Sequence, residues 1–380
     1  MKKYIIFGSP LIGKNEKKEV IQSINASWIG SGPKKNLFEK NFSKYKKTKF
    51  SIALNSCTAS LHLSLLSLNL KRNDEVITPA MTFCSTINSI IHAGLKPVLA
   101  DVNLQTMNID PAEIEKKITK RTKCIIPVHF AGRPCEMKEI LTIAKKYNLK
   151  VIEDCAHAVE TELDGVKAGN FGDLGCFSFY ATKNLTTGEG GMVITKKKKY
   201  ADLIKIKALH GLSQDAWKRY TDSGFKHYFV SELGYKYNMP DLQAAIGIHQ
   251  LKSINQNWIK REKIWYKYND AFKNLPIDTP AKINKNQRHA YHLYTLLVNK
   301  KTSGFSRDEL INYLHKKNIG TGVHYLSIPE HPYYRKIFKW KKNDYPNSLK
   351  IGRETLSLPL SAKLKKNEVN YIIKTIKDIF

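Results

Sequence analysis

The sequence has no long apolar run. No stretch comes close to the roughly 18 consecutive apolar residues that a membrane-spanning helix requires. The opening residues, MKKYIIFGSPLIG, contain two lysines and an apolar stretch, but Gly8, Ser9 and Pro10 interrupt that stretch. Because this is a poor secretion signal, we expect a cytoplasmic protein that does not enter a membrane.

Metal-binding and nucleotide-binding motifs are also missing. The six cysteines include no CxxC pair and no Cys/His cluster, and most of them lie among apolar or small residues. We therefore expect buried free thiols in a reducing compartment, and we predict no metal site. The chain contains neither GxGxxG nor a GxxxxGK motif, which excludes the dinucleotide fingerprint and the P-loop.

Acidic residues are scarce compared with basic ones. The chain has 33 Asp and Glu against 63 Lys and Arg, a formal net charge of +30. The basic residues are scattered in short groups without a helix-turn-helix, zinc-finger or RNP-like motif, so we predict no nucleic-acid partner. A charge of this sign also attracts small polyanions, including phosphorylated cofactors and nucleotide sugars.

Strand-like apolar runs alternate with helical patterns through the first half of the chain. The runs are FSIALNS, DEVITPA, KPVLADV, KCIIPVHF and KVIEDCA, and helix-length segments such as CTASLHLSLLSLNL separate them. This alternation predicts βαβ units, a largely parallel sheet and an α/β fold. Functional residues of such sheets gather beyond the carboxyl ends of the strands. The residues Asn55, Ser56, Pro79, Asp101 and Asp154 lie at such ends.

A change of pattern near residue 250 predicts a second domain. Long helical patterns begin at MPDLQAAIGIHQL, and after them come the strand YHLYTLLV and the helices SRDELINYLHKKN and KKNEVNYIIKTIKDIF. We expect a large α/β domain over residues 1–250 and a smaller α+β domain over residues 251–380. The absence of a low-complexity linker indicates that a helical segment joins them.

Three segments of the large domain contain candidate binding residues. NSCTASLHL predicts a strand end, a tight turn and a helix start, where free amides and the hydroxyls of Ser56 and Thr58 could bind phosphate. In VIEDCAHA, Asp154 ends an apolar strand, and a buried carboxylate needs a cation or hydrogen bonds. In PAMTFCST, Phe83 could cover a planar ring. N-capping, a structural ion pair and a core aromatic are the ordinary alternatives.

Lys183 lies in SFYATKNLTTGEGG, between a strand-like run that ends at Ser178 and a small, glycine-rich loop. A lysine amine is a useful nucleophile when its pKa falls below the usual value of about 10.4 or when it is held as a Schiff base. With the phosphate cup, the strand-end carboxylate and the stacking aromatic, Lys183 completes the set that a pyridoxal phosphate enzyme needs.

The chain resembles the DegT/DnrJ/EryC1/StrS family of sugar aminotransferases, which belong to the fold-type I class of pyridoxal phosphate enzymes. The resemblance runs nearly end to end, and ATKNLTTGEGG and GYKYNMPDLQAA are its most specific segments. It extends through SWIGSGP, NSCTASLHLSL, EVITPAMTF, VIEDCAHA, HGLSQDAWKRY and IGTGVHY. The fold it implies has a mainly parallel sheet flanked by helices, plus a smaller C-terminal α+β domain.

The resemblance also implies roles for individual residues. Lys183 would be the Schiff-base lysine, and Asp154 would pair with the pyridine nitrogen. The other implied contacts are His157 near the 3-oxygen of the ring, Phe83 stacked on the ring, the amides of Cys57 and Thr58 with the Ser178 hydroxyl on the phosphate, and Asn238 on the phosphate of the neighbouring subunit. The last contact implies a homodimer with shared active sites. Many relatives have glycine where this chain has Cys57, so the phosphate cup must form here without glycine's backbone freedom.

The implied activity is amino transfer from glutamate to a keto sugar nucleotide, for surface polysaccharide or lipopolysaccharide biosynthesis. A 4-keto sugar is expected, and Trp28, His324 and Tyr325 are candidates for the sugar pocket, although Trp28 and Tyr325 could equally be core aromatics. One alternative is a sugar dehydratase that uses pyridoxamine chemistry, but such members carry histidine in place of Lys183. The other is a non-catalytic regulatory relative, for which a degraded site is expected.

Overall fold

The computed structural model describes residues 4–212 and 229–380. Its strands are β1 Phe50–Leu54, β2 Glu75–Pro79, β3 Lys96–Ala100, β4 Thr122–Ile125, β5 Lys150–Asp154, β6 Glu162–Leu163, β7 Val166–Lys167, β8 Leu174–Ser178, β9 Gly191–Thr195, β10 Gln287–Arg288, β11 Tyr294–Leu297 and β12 Thr355–Leu358.

The helices alternate with the strands of the first half and then follow one another. They are α1 Lys14–Asn25, α2 Pro33–Lys46, α3 Cys57–Ser67, α4 Cys84–His92, α5 Pro111–Lys116, α6 Met137–Lys146, α7 Lys198–Ala208, α8 Asp241–Lys252, α9 Ile254–Phe272, α10 Lys300–Ser303, α11 Arg307–Lys316, α12 Pro332–Phe338, α13 Pro346–Glu354 and α14 Lys366–Lys377. Local sequence explains several starts. Asp110 caps α5 ahead of a proline, and Ser306 forms a capping box with Glu309 at α11.

The main sheet of the described residues has seven strands in the order β1-β9-β8-β5-β4-β2-β3. The pairs β3–β2, β2–β4, β4–β5 and β5–β8 are parallel, whereas β9 runs antiparallel to both of its neighbours. The predicted α/β fold with a mainly parallel sheet is therefore confirmed. The carboxyl ends of β5 and β8 are adjacent, which brings Asp154 and Ser178 to the same edge.

Helices cover both faces of this sheet. In β9, Val193 packs in one core cluster, with Leu61 of α3, and its neighbours Met192 and Ile194 pack in another, with Phe42 of α2. Successive side chains of a strand point to opposite faces, so a strand buried on both sides must be apolar throughout. The run GMVIT nearly meets that requirement: all five residues of β9 are buried, and the polar one, Thr195, donates its hydroxyl proton to the Asp173 carbonyl.

A separate core forms in the second part of the chain. Trp265, Tyr268 and Phe272 follow one face of α9 and pack with residues of α11, α14, β11 and β12. Ile5 also belongs to this cluster and forms a parallel bridge with Ile319. The N-terminal segment thus contributes to the second core, and the division of the chain at residue 250 stays a prediction.

Among the described residues, none of the helices combines the length and the apolar character that crossing a membrane would require. The six cysteines are free thiols, and all except Cys84 are buried.

Candidate active site

A cavity of about 410 Å³ lies at the carboxyl ends of β5 and β8, where the loop after β8 and a segment near residue 325 close over it. Most of the side chains singled out in the sequence line this cavity: Cys57, Thr58, Phe83, Asp154, His157, Ser178, Lys183, His324 and Tyr325. The topology explains the convergence, because parallel strands end at the same edge of the sheet.

Two of the predicted site residues lie elsewhere. Trp28 follows α1 with 48% of its surface exposed, and its ring nitrogen donates to the Ser31 carbonyl. The backbone of Asn238 forms a β-bridge with Leu54, and its side-chain Nδ2 donates to the Ser31 hydroxyl at 2.6 Å. Neither residue lines the cavity within this chain. Most of the segment HGLSQDAWKRY, from residue 213 onward, lies outside the described residues.

The start of α3 forms a cup for an anion. Ser56 caps the helix by accepting a hydrogen bond from the Ala59 amide, which leaves the amides of Cys57 and Thr58 without acceptors inside the helix. The helix dipole favours an anion at this end. The Cys57 backbone is helical and its thiol packs in the core, so the cup forms without glycine at position 57.

Gly191, the first residue of β9, makes this arrangement possible. A Cβ atom at Gly191 would lie 2.3 Å from the carbonyl oxygen of Ser56 and 2.6 Å from the amide nitrogen of Cys57. Such distances are far inside van der Waals contact. The glycine-rich sequence after Lys183 therefore allows β9 to pass directly against the backbone of the cup.

The carboxylate of Asp154 is buried at the end of β5. Its Oδ2 accepts from the Thr86 hydroxyl at 2.9 Å and its Oδ1 accepts from the Ala156 amide at 3.1 Å. Burial raises the pKa of Asp154, and these two bonds and the nearby Lys183 amine oppose that rise. No basic side chain forms a salt bridge with Asp154 in the described ranges, 4–212 and 229–380. The site therefore has room for a cationic partner from a ligand.

Lys183 lies in the turn that follows β8. The backbone amide of Lys183 donates to the carbonyl of Tyr180, and Tyr180 forms a β-bridge with Gly188. Gly188 has a φ of 83°, in the left-handed region that glycine adopts without strain. Burial lowers the pKa of Lys183 to about 8, against the opposing pull of Cys57 and Asp154. The amine therefore has a substantial neutral fraction near pH 7 to 8, which a nucleophile or a base requires.

His157 and Tyr325 form one side of the cavity. The Tyr325 hydroxyl lies 3.0 Å from Nε2 of His157, and the Ala131 amide donates to Nδ1 at 3.2 Å. Phe83 is 55% exposed, and its ring centroid lies 5.6 Å from that of Tyr325. His324 stacks against Phe7 and hydrogen-bonds to Ser357 through Nδ1.

Sequence reasoning did not identify Thr86 or His292. Thr86 donates to Asp154 and also hydrogen-bonds to Thr82, a cavity-lining residue that precedes α4. The His292 ring packs against His157 in a tilted arrangement, with ring centroids 4.4 Å apart. The spacing of the two threonines after a strand end is a weak local indication, whereas nothing near His292 in the sequence indicates its position.

Beside the cavity, His129, Glu153 and Cys155 form a buried cluster whose ligand atoms lie within 4.8 Å of one another. Glu153 accepts from the amides of Gly169, Phe171 and Gly172 and pairs with Nε2 of His129. These bonds already satisfy the carboxylate. Its role is therefore to hold the loop after β7 against β5.

The comparison of sequences with known families decides the identity of this site. The model of the DegT/DnrJ/EryC1/StrS aminotransferase family matches residues 10–377. The chain belongs to this family. Its members are pyridoxal phosphate-dependent and have the fold-type I architecture, so the protein is a pyridoxal phosphate-dependent sugar aminotransferase.

Individual relatives are similar to this chain over nearly its whole length. The spore coat polysaccharide biosynthesis protein SpsC of Bacillus subtilis is 45% identical over 378 residues, which cover 99% of this chain and 97% of SpsC. Spr1654 of Streptococcus pneumoniae, named a sugar aminotransferase and solved in its PMP-form, aligns with a TM-score of 0.91 at 32% identity, covering 99% of this chain and 97% of that one. Helicobacter pylori PseC, an aminotransferase of pseudoaminic acid biosynthesis, aligns at 0.92 and 28%, covering 100% and 99%.

The cavity of this family member fits pyridoxal phosphate. The amides of Cys57 and Thr58 and the Ser178 hydroxyl would hold the phosphate of the cofactor. The negative charge of Asp154 would pair with a protonated ring nitrogen, and Lys183 would bond to the aldehyde carbon. When bound, the cofactor supplies an electron sink for negative charge that develops on the substrate carbon. Phe83 would cover one face of the ring.

Proposed function

We propose that this aminotransferase moves the amino group of glutamate to the ketone of a keto sugar nucleotide. The observation that carries the proposal is the position of Lys183, an amine of pKa about 8 that shares one cavity with Asp154 and the amides at the start of α3. Those three features provide a base, a charge partner and an anion site. The intact lysine also disfavours a dehydratase, and the presence of Asp154, His157 and Ser178 in the same cavity disfavours a regulatory relative without turnover.

Lys183 carries the proton steps in this proposal. Once the amino group of the donor has displaced Lys183 from the cofactor, the neutral lysine amine would take the proton from the donor carbon of glutamate onto Nζ and pass it to the cofactor. The bonds from Thr86 and Ala156 hold both oxygens of Asp154 in place and favour its ionised form. The same residues act in the reverse order when the sugar ketone receives the amine.

A nucleotide-linked acceptor suits the charge of the chain. The formal net charge of +30 attracts a diphosphate, and SpsC and PseC are named for polysaccharide and pseudoaminic acid biosynthesis. We propose a 4-keto-6-deoxyhexose or a 4-keto pentose nucleotide as the acceptor. The product would be a 4-amino sugar for a surface polysaccharide or lipopolysaccharide, made in the cytoplasm.

The sugar would lie beside His324 and Tyr325, which line the cavity near Phe83. Trp28 would reach a sugar only from a partner subunit. Support for a homodimer comes from apolar side chains exposed on α1, α2 and the turn between them: Ile21, Ile24, Trp28, Ile29 and Leu37. Exposed apolar patches of this kind mark interfaces between proteins.

A substrate panel tests the proposal. Purified protein loaded with pyridoxal phosphate is given glutamate and each of several 3-keto and 4-keto sugar nucleotides, and release of 2-oxoglutarate is measured. We expect turnover with 4-keto acceptors, and the Lys183→Ala variant serves as the blank. Turnover with 3-keto acceptors alone contradicts the 4-keto assignment. Transfer only between free amino acids and keto acids contradicts the nucleotide-sugar assignment.

A further inference from the structure

We propose that His157 is a positioning residue that directs the hydroxyl proton of Tyr325 into the active-site cavity. Tyr325 then acts as a hydrogen-bond donor to an oxygen atom of the bound ligand. The two residues are 168 positions apart in the chain, and the fold brings His157 Nε2 to 3.0 Å from the Tyr325 hydroxyl. The role implied by the family resemblance, a direct contact of His157 with the 3-oxygen of the cofactor, differs from this one.

The protonation of His157 follows from its backbone contact. A backbone amide can only donate, so the bond from the Ala131 amide requires a lone pair on Nδ1 of His157. The imidazolium form has protons on both nitrogens and cannot accept that bond. His157 is therefore neutral with its proton on Nε2. Burial and the nearby Lys183 and His292 lower the pKa of His157 well below its usual range, which agrees with a neutral ring.

The direction of the Tyr325 proton follows from that tautomer. Because the single N–H of His157 points at the Tyr325 hydroxyl, the phenol oxygen accepts this bond and keeps its own proton for another acceptor. Within residues 4–212 and 229–380, no second hydrogen-bond partner of that hydroxyl is present. Tyr325 lines the cavity, so the ligand is the remaining acceptor. Burial raises the pKa of Tyr325 far above its usual value, which keeps the hydroxyl protonated.

Packing fixes the geometry of the pair. The His157 ring is held between His292, at a centroid distance of 4.4 Å, and Phe130, at 6.0 Å, and it is nearly parallel to the Tyr325 ring, with an angle of 27°. Phe130 also lies edge-on to Tyr325. These contacts hold the ring in the orientation in which Nε2 faces the Tyr325 hydroxyl. The acceptor for Tyr325 is an oxygen of pyridoxal phosphate or of a substrate, and the experiment separates these sources.

The tautomer can be observed without turnover. In protein labelled with ¹⁵N-histidine, a long-range ¹H–¹⁵N spectrum distinguishes a protonated from an unprotonated ring nitrogen, and comparison with His157→Gln assigns the signals of His157. We expect Nε2 to carry the proton and Nδ1 to be unprotonated, in the absence of any substrate. A proton on Nδ1 overturns the proposal.

A double-mutant cycle tests the coupling. His157→Phe keeps an aromatic ring but removes the N–H. We expect it to raise either the Kd for pyridoxal phosphate or the KM for a substrate by about 3- to 10-fold, the effect of one lost hydrogen bond. In the Tyr325→Phe background the same change should have almost no effect, because the hydroxyl that it orients is already gone. Equal losses in both backgrounds would show a packing role and overturn the proposal. His157→Gln, which retains an N–H donor, should restore much of the binding.

Two binding measurements identify the acceptor. A weaker Kd for pyridoxal phosphate in Tyr325→Phe indicates a cofactor oxygen, whereas an unchanged Kd with a raised KM for glutamate or the sugar indicates a substrate oxygen. If neither value changes, Tyr325 donates to no ligand and the proposal is wrong. His289→Phe is a matched control, since Nδ1 of His289 also accepts a backbone amide, that of Tyr291, but His289 lies outside the cavity lining. It should show no coupling to Tyr325.

Discussion

At the scale of single residues, the amine of Lys183 determines how the protein takes up its cofactor. Burial lowers its pKa from the usual value to about 8, so the amine loses its proton as the pH rises through about 8. Only the neutral amine can attack an aldehyde. We expect attachment of pyridoxal phosphate to the apoprotein to speed up with pH until about 8 and then to level off. Stopped-flow absorbance in the visible range measures this rate.

The Lys183→Ala variant is the control for that titration. It should fold normally, develop no visible band from covalently bound cofactor and show no turnover. An attachment rate that continues to rise beyond pH 9 would indicate an ordinary lysine pKa, and a visible band in Lys183→Ala would assign the covalent bond to another lysine.

Asp154 contributes charge, which an isosteric amide lacks. Asp154→Asn should still bind pyridoxal phosphate, since the phosphate contacts are elsewhere, but its turnover should fall by about 10²-fold or more because a preorganised charge is lost. Single-turnover kinetics with glutamate measure the effect. Asp101→Asn is a matched control, because Asp101 also follows a parallel strand, but its carboxylate binds the amides of Asn347 and Ser348 away from the cavity. Equal rates for Asp154→Asn and the parent protein would refute the assigned role.

The sequence predicted some residues of the site well because their local context is distinctive. Lys183 lies in a small, glycine-rich loop, and Asp154 ends an apolar strand, so the immediate neighbours of each residue indicate an unusual environment. Thr86 and His292 reach the site only through tertiary packing. Their importance depends on contacts with residues 68 and 135 positions away in the chain, which the local sequence indicates weakly for Thr86 and not at all for His292.

At the scale of secondary-structure elements, strands β1 to β5 coincide with the five apolar runs, because strands buried on both faces need continuous hydrophobic sequence. The position of β9 could not be predicted in the same way. It inserts between β1 and β8 and pairs antiparallel with both, a choice determined by long-range pairing and by the crossing of Gly191 over α3.

The close contact of Gly191 in β9 with the start of α3 should control phosphate binding. Gly191→Ala places a methyl group within 2.6 Å of the Ser56 and Cys57 backbone, so β9 or the start of α3 must shift and the amides of the cup must lose their alignment. We expect the affinity for pyridoxal phosphate to fall at least about 10-fold, because the cup supplies several phosphate hydrogen bonds. Titration followed by absorbance measures the Kd.

Gly30→Ala is the comparison, since a Cβ atom at Gly30 has no heavy atom within 4 Å among the described residues. It should bind the cofactor like the parent protein. If Gly191→Ala also retains the parent affinity, then close packing of β9 on the cup does not control phosphate binding.

At the scale of the whole molecule, we expect a homodimer in which each subunit completes the site of the other through Asn238. Symmetric dimers are the commonest homo-oligomers. In a heterodimer of a Lys183→Ala subunit and an Asn238→Ala subunit, both lesions then fall in one site and the other site is intact. The heterodimer should therefore have about half of the parent activity, although each variant is weak or inactive alone.

Differently tagged subunits allow the heterodimer to be purified and assayed directly. If the verified heterodimer shows no more activity than its parents, Asn238 acts within its own subunit. A monomer at micromolar concentration in sedimentation velocity would contradict the shared-site arrangement altogether.

The bridge between Ile5 and Ile319 also has a consequence for the order of events during biosynthesis. A ribosome makes the chain from its N-terminus, at about 5 to 20 residues per second. Roughly 300 residues separate the two bridge partners, so the early segment waits on the order of 15 to 60 seconds for its partner to emerge. The second core, which includes Ile5 and Ile376, can close only when translation is nearly finished. The early apolar segment is thus available to chaperones throughout that interval.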